Sequence, residues 1–143
     1  MNWIVCPTHN LLTYLKPAVA SFLAQDTPTK VWVIDRGSND GTCQWLASKS
    51  CNNFIHSHWT SCDSLAEVWN GALASVFDVS NAYDHALVVN NDVELRPEAY
   101  RKLLADPAGF VTCVGVGADQ WIKNSTENPN PNRHPHPDFS CFL

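Results

Sequence analysis

The sequence predicts an α/β domain, a mostly parallel β-sheet flanked by helices on both faces. Three observations carry this. Strand-like and helix-like stretches alternate several times, at spacings of 20–30 residues, the signature of parallel strands joined by helical crossovers. The strand-like runs are continuously apolar rather than alternating, as expected of strands covered on both faces. The chain has 143 residues, 45% of them hydrophobic, enough for one domain that buries roughly 68–70% of the surface its unfolded chain would expose.

The elements follow in order. Residues 2–6 form a short apolar run closed by Pro7 and read as a buried strand. Over residues 11–25, Leu12, Leu15, Val19, Phe22 and Leu23 fit one helical face, with Pro17 as a start or a kink. Residues 30–35, rich in β-branched and aromatic side chains, are a second strand, and the turn formers of 36–42 end it. A short helix over 43–48 and a weak third strand over 53–56 come next. Ser64, with Glu67 three residues on, starts a helix carrying Leu65, Val68, Trp69, Ala72, Leu73, Val76 and Phe77 on one face. Residues 85–90 are a fourth strand, Pro97 opens a helix to about residue 105, and 110–116 are a fifth strand. The polar, proline-bearing stretch 119–138 reads as a loop or lid of the same domain.

Composition narrows the function. The formal net charge is −5, against the cationic surface that nucleic acid or an anionic membrane demands. No apolar run is long enough to span a bilayer, and the N-terminal residues lack a basic leader, so a cytoplasmic protein without an integral membrane segment is expected. Six cysteines form no Cys-x-x-Cys pair and read as free, mostly buried thiols. Dinucleotide, Walker, nucleophile-elbow and His-Glu-x-x-His motifs are missing from the sequence. His134, His136 and Cys141 are interleaved with prolines and have no fourth ligand in register, so they read as loop residues rather than a zinc site.

Three polar clusters fall where a parallel sheet binds ligands, beyond the carboxyl ends of its strands. Pro7-Thr8-His9-Asn10 follows the first strand, residues 35–42 the second, and Asn90-Asn91-Asp92 the fourth. The Asp35 carboxylate suits a base N–H or a sugar hydroxyl, and Gly37 and Gly41 let backbone approach a ligand. Asp92 is a hard oxygen ligand suited to Mg²⁺ or Mn²⁺, with Asn90 and Asn91 beside it to orient it or water. The bland alternatives are a turn with a helix cap for the second cluster, and a loop before the Pro97 helix for the third.

These residues carry a resemblance. Val33-Ile34-Asp35-Arg36-Gly37-Ser38-Asn39-Asp40-Gly41-Thr42 is similar to the V-D-[DN]-G-S-x-D-G-T stretch of family 2 glycosyltransferases of the GT-A fold. Cys6-Pro7-Thr8-His9-Asn10 resembles their opening P-T-[YH]-N, and Leu23-Ala24-Gln25-Asp26 their L-A-Q-T. The run from Leu87 to Pro97 is similar to a variant of their metal-binding motif, with Asn-Asn-Asp most like rhamnosyltransferase-type members. The resemblance implies a GT-A, Rossmann-like core over residues 1–117, and a lid and final strand over 118–143. It implies a nucleotide-diphospho-sugar donor of UDP or dTDP type, a Mn²⁺ or Mg²⁺ cofactor, and inverting transfer to an acceptor hydroxyl. Pro7, Thr8, Asn10, Asp35, Gly37, Ser38, Asn70, Asn90 and Asn91 would line the donor, and Asp92 would hold the metal.

The departures are Arg36, where Asp or Asn is common, and Ala72, where glycine is commoner. The resemblance places the general base on a segment farther along than Leu143, as expected of either a short form or a fragment, and neither Asp119, His136 nor Asp138 has a spacing that marks it as the base. The alternatives are a donor-binding domain without turnover, or a scaffold on the same fold. Trp59 and Trp121, in polar stretches, would mark an acceptor surface or an interface, and an open sheet edge would favour a homodimer.

Overall fold

The computed structural model describes residues 1–61, 64–78 and 84–106, and the backbone of 141–142. The expected strand over 110–116, the stretch 119–138 with Trp121, His134 and His136, and the Cys141 side chain lie outside the described residues.

Among the described residues, five strands form one sheet in the order β3-β2-β1-β4-β5. They are β1 (Asn2–Thr8), β2 (Lys30–Asp35), β3 (Phe54–His58), β4 (His85–Val89) and β5 (Cys141–Phe142). The first four pair in parallel. The short β5 runs antiparallel to β4, with Val88 opposite Phe142 and Val89 opposite Cys141. Helices α1 (Leu12–Leu23), α2 (Thr42–Ala47), α3 (Leu65–Asp78) and α4 (Ala99–Leu104) connect or follow the parallel strands. The mostly parallel sheet predicted from sequence is present.

Side chains alternate between two cores, as the strand period of two requires. On one face Ile4, Cys6, Val31, Val33, Leu87 and Val89 pack with Leu15, Val19 and Phe22 of α1, Leu46 of α2, and Tyr100 and Leu103 of α4. On the other face Val5, Ile34 and Ala86 pack with Val68, Ala72 and Val76 of α3. Both faces are therefore covered, which is why the strands read as unbroken apolar runs.

Several local expectations change in three dimensions. Strand β1 does not stop at Pro7 but runs through it to Thr8. The ladder to β4 has already ended at Val5–Val88, so Pro7 pairs on one side only, through Ile34 of β2. A missing N–H is tolerated there as on an edge strand. Pro17 lies exposed inside α1 without ending it. The apolar stripe of α3 is narrower than the sequence suggests: Leu65 and Phe77 face solvent. Ser64 caps α3 as expected, its Oγ accepting the Glu67 N–H at 3.1 Å. Of the cysteines, Cys6 is buried, Cys43 half-buried and Cys51 exposed, all as free thiols. No helix among the described residues is long and apolar enough to cross a membrane.

Two side chains tie α4 to the sheet. The buried Tyr100 hydroxyl lies 3.0 Å from the Trp3 carbonyl and 3.1 Å from that of His85, bridging β1 and β4; burial, the largest influence, pushes its ionisation well above the ordinary range. Gln25, just past α1, accepts the Tyr100 N–H at 3.0 Å in the first turn of α4. Its amide group donates to the carbonyls of Ser21 and Arg96, both at 3.0 Å. The Leu-Ala-Gln motif is thus a helix cap supplied from another element. Truncating Gln25→Ala removes these bonds and should lower unfolding stability by about 1–2 kcal/mol, read as a fall in the urea midpoint with an unchanged slope.

Candidate functional site

The sheet order reverses at β1: the chain moves outward to β2 and β3, then returns to β4 on the other side. A crevice opens at such a switch point, beyond the carboxyl ends of the strands. The predicted polar clusters lie there. Ladder register sets Thr8 of β1 beside Asp35 of β2, and Asp35 beside His58 of β3.

Asp35 is 1% exposed, so its carboxylate needs partners to offset lost hydration. The loop 36–41 supplies them. Ser38 donates its backbone N–H to Asp35 Oδ1 at 3.1 Å, and its hydroxyl donates to the same oxygen. His58 Nδ1 lies 2.9 Å from Oδ2. A carboxylate only accepts, so that nitrogen carries the proton. Gly37 (φ 77°) and Gly41 (φ 92°) take the left-handed backbone that lets the loop curl back.

A directed chain of hydrogen bonds links the loops. Asn91 Nδ2 donates to Thr8 Oγ1 at 2.9 Å, across the switch point. Thr8 Oγ1 donates to the Asn10 carbonyl at 3.3 Å. The Asn10 N–H donates to Ser38 Oγ at 2.7 Å, and the Ser38 hydroxyl donates to Asp35. Asn10 Oδ1 also accepts the Asn39 N–H at 2.8 Å. The two bonded segments meet at Asn10, whose carbonyl and N–H belong to successive peptide groups, so Asn10 joins them through its backbone. Asn10 (φ 59°) and Leu11 (φ 62°) are both left-handed; for leucine this costs roughly 1–2 kcal/mol, strain of the kind that collects at binding sites.

Asp40 anchors the same loop to two helices. Its Oδ2 accepts the Leu12 N–H at 2.9 Å at the start of α1. Its Oδ1 accepts the Thr42 N–H at 3.1 Å and hydroxyl at 2.6 Å at the start of α2. The Thr42 hydroxyl, followed by the Leu12 amide, holds Asp40 below the usual carboxylate range.

The sequence-predicted residues are distributed unevenly around this rim. Thr8, Asn10, Asp35, Ser38 and Asn91 are joined in the bonded chain, with Gly37 in its loop. Pro7 lies within β1 behind them. Asn90 is half-buried at the end of β4, its carbonyl accepting the Val93 N–H at 3.4 Å. Asp92 is exposed one residue past Asn91. Its charge adds to the stronger effect of burial in raising the Cys6 ionisation. One exposed carboxylate flanked by amides is a hard-oxygen donor set with room for water, and it fits Mg²⁺ or Mn²⁺. Asn70 is exposed on α3, outside the bonded chain. Arg36 is half-buried rather than turned wholly to solvent. Trp59 is half-buried, packing edge-to-face on Trp32 at 5.7 Å and against the α3 core.

Two residues at the rim were not predicted. Asp35, Cys43 and His58 bring one donor atom each within 4.8 Å of one another. His58 was missed because the weak third strand runs two residues farther than its apolar pattern does. The usable signal was register: β2 and β3 end on paired residues, so the last residue of β3 must flank Asp35.

Residues 3–139 match the family model described as glycosyl transferase family 2. Among solved structures, the chain resembles a mannosyltransferase, PcManGT from Pyrobaculum calidifontis, in complex with GDP-Man and Mn²⁺. The TM-score is 0.63 at 23% identity, over 79% of this chain and 35% of that one. It also resembles S. aureus TarS 1-349 (TM-score 0.60, 23% identity, 73% of this chain and 31% of that one). TarS 1-349 in complex with UDP-GlcNAc gives a TM-score of 0.57 at 22% identity, over 73% and 30% of the two chains. The chain therefore spans about a third of the length of these structures. No curated protein matches it. The fold is the GT-A, Rossmann-like arrangement.

The Asp40 geometry has a pH signature. A carboxylate whose folded-state pKa is depressed contributes stability above its unfolded-state pKa and loses it as pH falls through the folded value. Asp40→Asn should be less stable than the parent at neutral pH. The gap between their urea midpoints should shrink as pH drops below 3.8, the ordinary value for the group.

Proposed function

The chain belongs to glycosyl transferase family 2, and on that premise we propose that it binds a nucleoside-diphosphate sugar at the strand-end rim. With a divalent cation beside Asp92, it transfers the sugar to an acceptor hydroxyl with inversion. The observation that carries this reading is the bonded chain from Asn91 through Thr8, Asn10 and Ser38 to Asp35, built across the switch point of the sheet.

In this reading residues 1–117 hold the donor, and 118–143 are a lid and strand of the same domain. The buried Asp35 carboxylate takes the N–H of a pyrimidine base of a UDP or dTDP donor. It gives up one internal donor as it does so, and the exchange leaves no orphaned charge. Thr8, Asn10 and Ser38 offer hydroxyl and amide groups to the nucleoside, and Gly37 lets the backbone approach it. Asn90 and Asn91 orient Asp92, and Asn70 faces the donor from α3. When bound, the cation offsets the charge that develops on the leaving diphosphate. The acceptor oxygen forms its bond to the anomeric carbon as the bond to the diphosphate oxygen breaks, and the acceptor's proton passes to a base. The solved relatives support the donor class, one being complexed with GDP-Man and Mn²⁺ and another with UDP-GlcNAc.

A donor-binding domain without turnover shares every rim contact and differs only in the transfer step. Calorimetric titration of UDP, dTDP and GDP, each with and without Mn²⁺, tests the common part. A pyrimidine diphosphate should bind in a metal-dependent manner, and Asp92→Ala should weaken that binding at least about ten-fold, or about 1.4 kcal/mol. Binding of none of the three under any condition sinks the proposal. Product from a labelled nucleotide sugar, lost in Asp92→Ala, separates the enzyme from the binding domain.

A further inference from the structure

The triad of Asp35, Cys43 and His58 draws on three elements: the last residue of β2, the first turn of α2 and the last residue of β3. We propose that these three side chains form a site for a borderline transition-metal ion of the zinc type, distinct from the cation position at Asp92.

The donor set decides the class of ion. A thiolate, an imidazole and a carboxylate are zinc's ligands, whereas Mg²⁺ and Mn²⁺ favour oxygen throughout. The distances agree. Tetrahedral zinc with bonds of about 2.0–2.3 Å sets its ligand atoms roughly 3.3–3.8 Å apart. The three donor atoms already lie within 4.8 Å of one another, so a small side-chain rotation closes the shell. The ligands are also held in advance. Register fixes Asp35 beside His58, Ser38 pins the carboxylate, and His58 Nδ1 rests 2.9 Å from it. Access is open from one side: the His58 side chain is 47% exposed and that of Asp35 only 2%. A fourth ligand would be water entering from that side. On binding, Cys43 releases its proton to solvent. The imidazole binds as its other tautomer: the proton that Nδ1 holds toward Asp35 passes to Nε2, and the freed Nδ1 lone pair faces the ion.

The site stands on this geometry alone. Its consequence rests on the function proposed above. The ion occupies the carboxylate that the nucleobase would need, so zinc and donor exclude each other. A trace metal would then shut the donor site without touching Asp92.

Cobalt(II) as a spectroscopic stand-in for zinc tests both statements on the intact chain, under anaerobic conditions with a non-thiol reductant. The parent should take up one equivalent with an intense thiolate-to-cobalt charge-transfer band, displaced by Zn²⁺. Cys43→Ser should lose the band, His58→Ala should weaken uptake at least ten-fold, and Cys51→Ser should behave as the parent. Absence of the band in the parent, or its survival in Cys43→Ser, overturns the site. In the second arm, one equivalent of Zn²⁺ should weaken UDP binding in Mn²⁺ buffer at least ten-fold in the parent and leave Cys43→Ser unaffected. Unchanged UDP binding in zinc-loaded parent overturns the exclusion. Failure of UDP to bind any form counts against the donor proposal, while the cobalt arm still decides the metal site.

Discussion

The buried Asp35 carboxylate is the constraint around which the rim is organised. A charge removed from water at the end of a parallel strand must be met by donors close by. Loop 36–41 meets it by folding back, with glycines at the two positions where the chain turns left-handed. Ser38, having turned toward Asp35, presents its oxygen to the Asn10 amide, and Asn10 draws the β1 loop into place. From there Thr8 reaches Asn91, so a requirement at one strand end propagates to the loops after three strands.

The same loop carries a second carboxylate with the opposite solvent exposure. Asp40 faces water, yet it binds the first turns of both α1 and α2. Between them, Asp35 holds the loop to the sheet and Asp40 holds it to the helices. This double attachment lets Asn10 and Leu11 remain left-handed, because the surrounding bonds leave them no other conformation. A rim with fixed donors and acceptors suits recognition of a polar, anionic ligand, since little ordering is left to be done on binding.

Soft and hard donor groups are segregated along this rim. Asp92, exposed among amides, offers oxygen only; Asp35, Cys43 and His58 mix oxygen, sulfur and nitrogen. The two donor sets thus differ in the class of cation that each suits.

Much of this was legible in the amino-acid order. Continuous apolar runs marked β1, β2 and β4 because covered parallel strands need apolar side chains at every position. The polar clusters after them were legible because turn chemistry and ligand chemistry both demand Gly, Ser, Asn and Asp. Strand β3 was half legible: as an edge strand with Ile55 and His56 exposed, it lacks a full apolar signature, and its last two residues read as loop. His58 therefore had no local mark, and Cys43, inside the short helix α2, read as one more free thiol. Nor could the stripe on α3 reveal that Leu65 and Phe77 fall beyond the sheet it covers. Periodicity and turn composition, both short-range, determined the elements and the loops that carry polar groups. Strand register and the order β3-β2-β1-β4 decided which groups from distant segments meet, because pairing energy is spread over a whole ladder and no single residue encodes it.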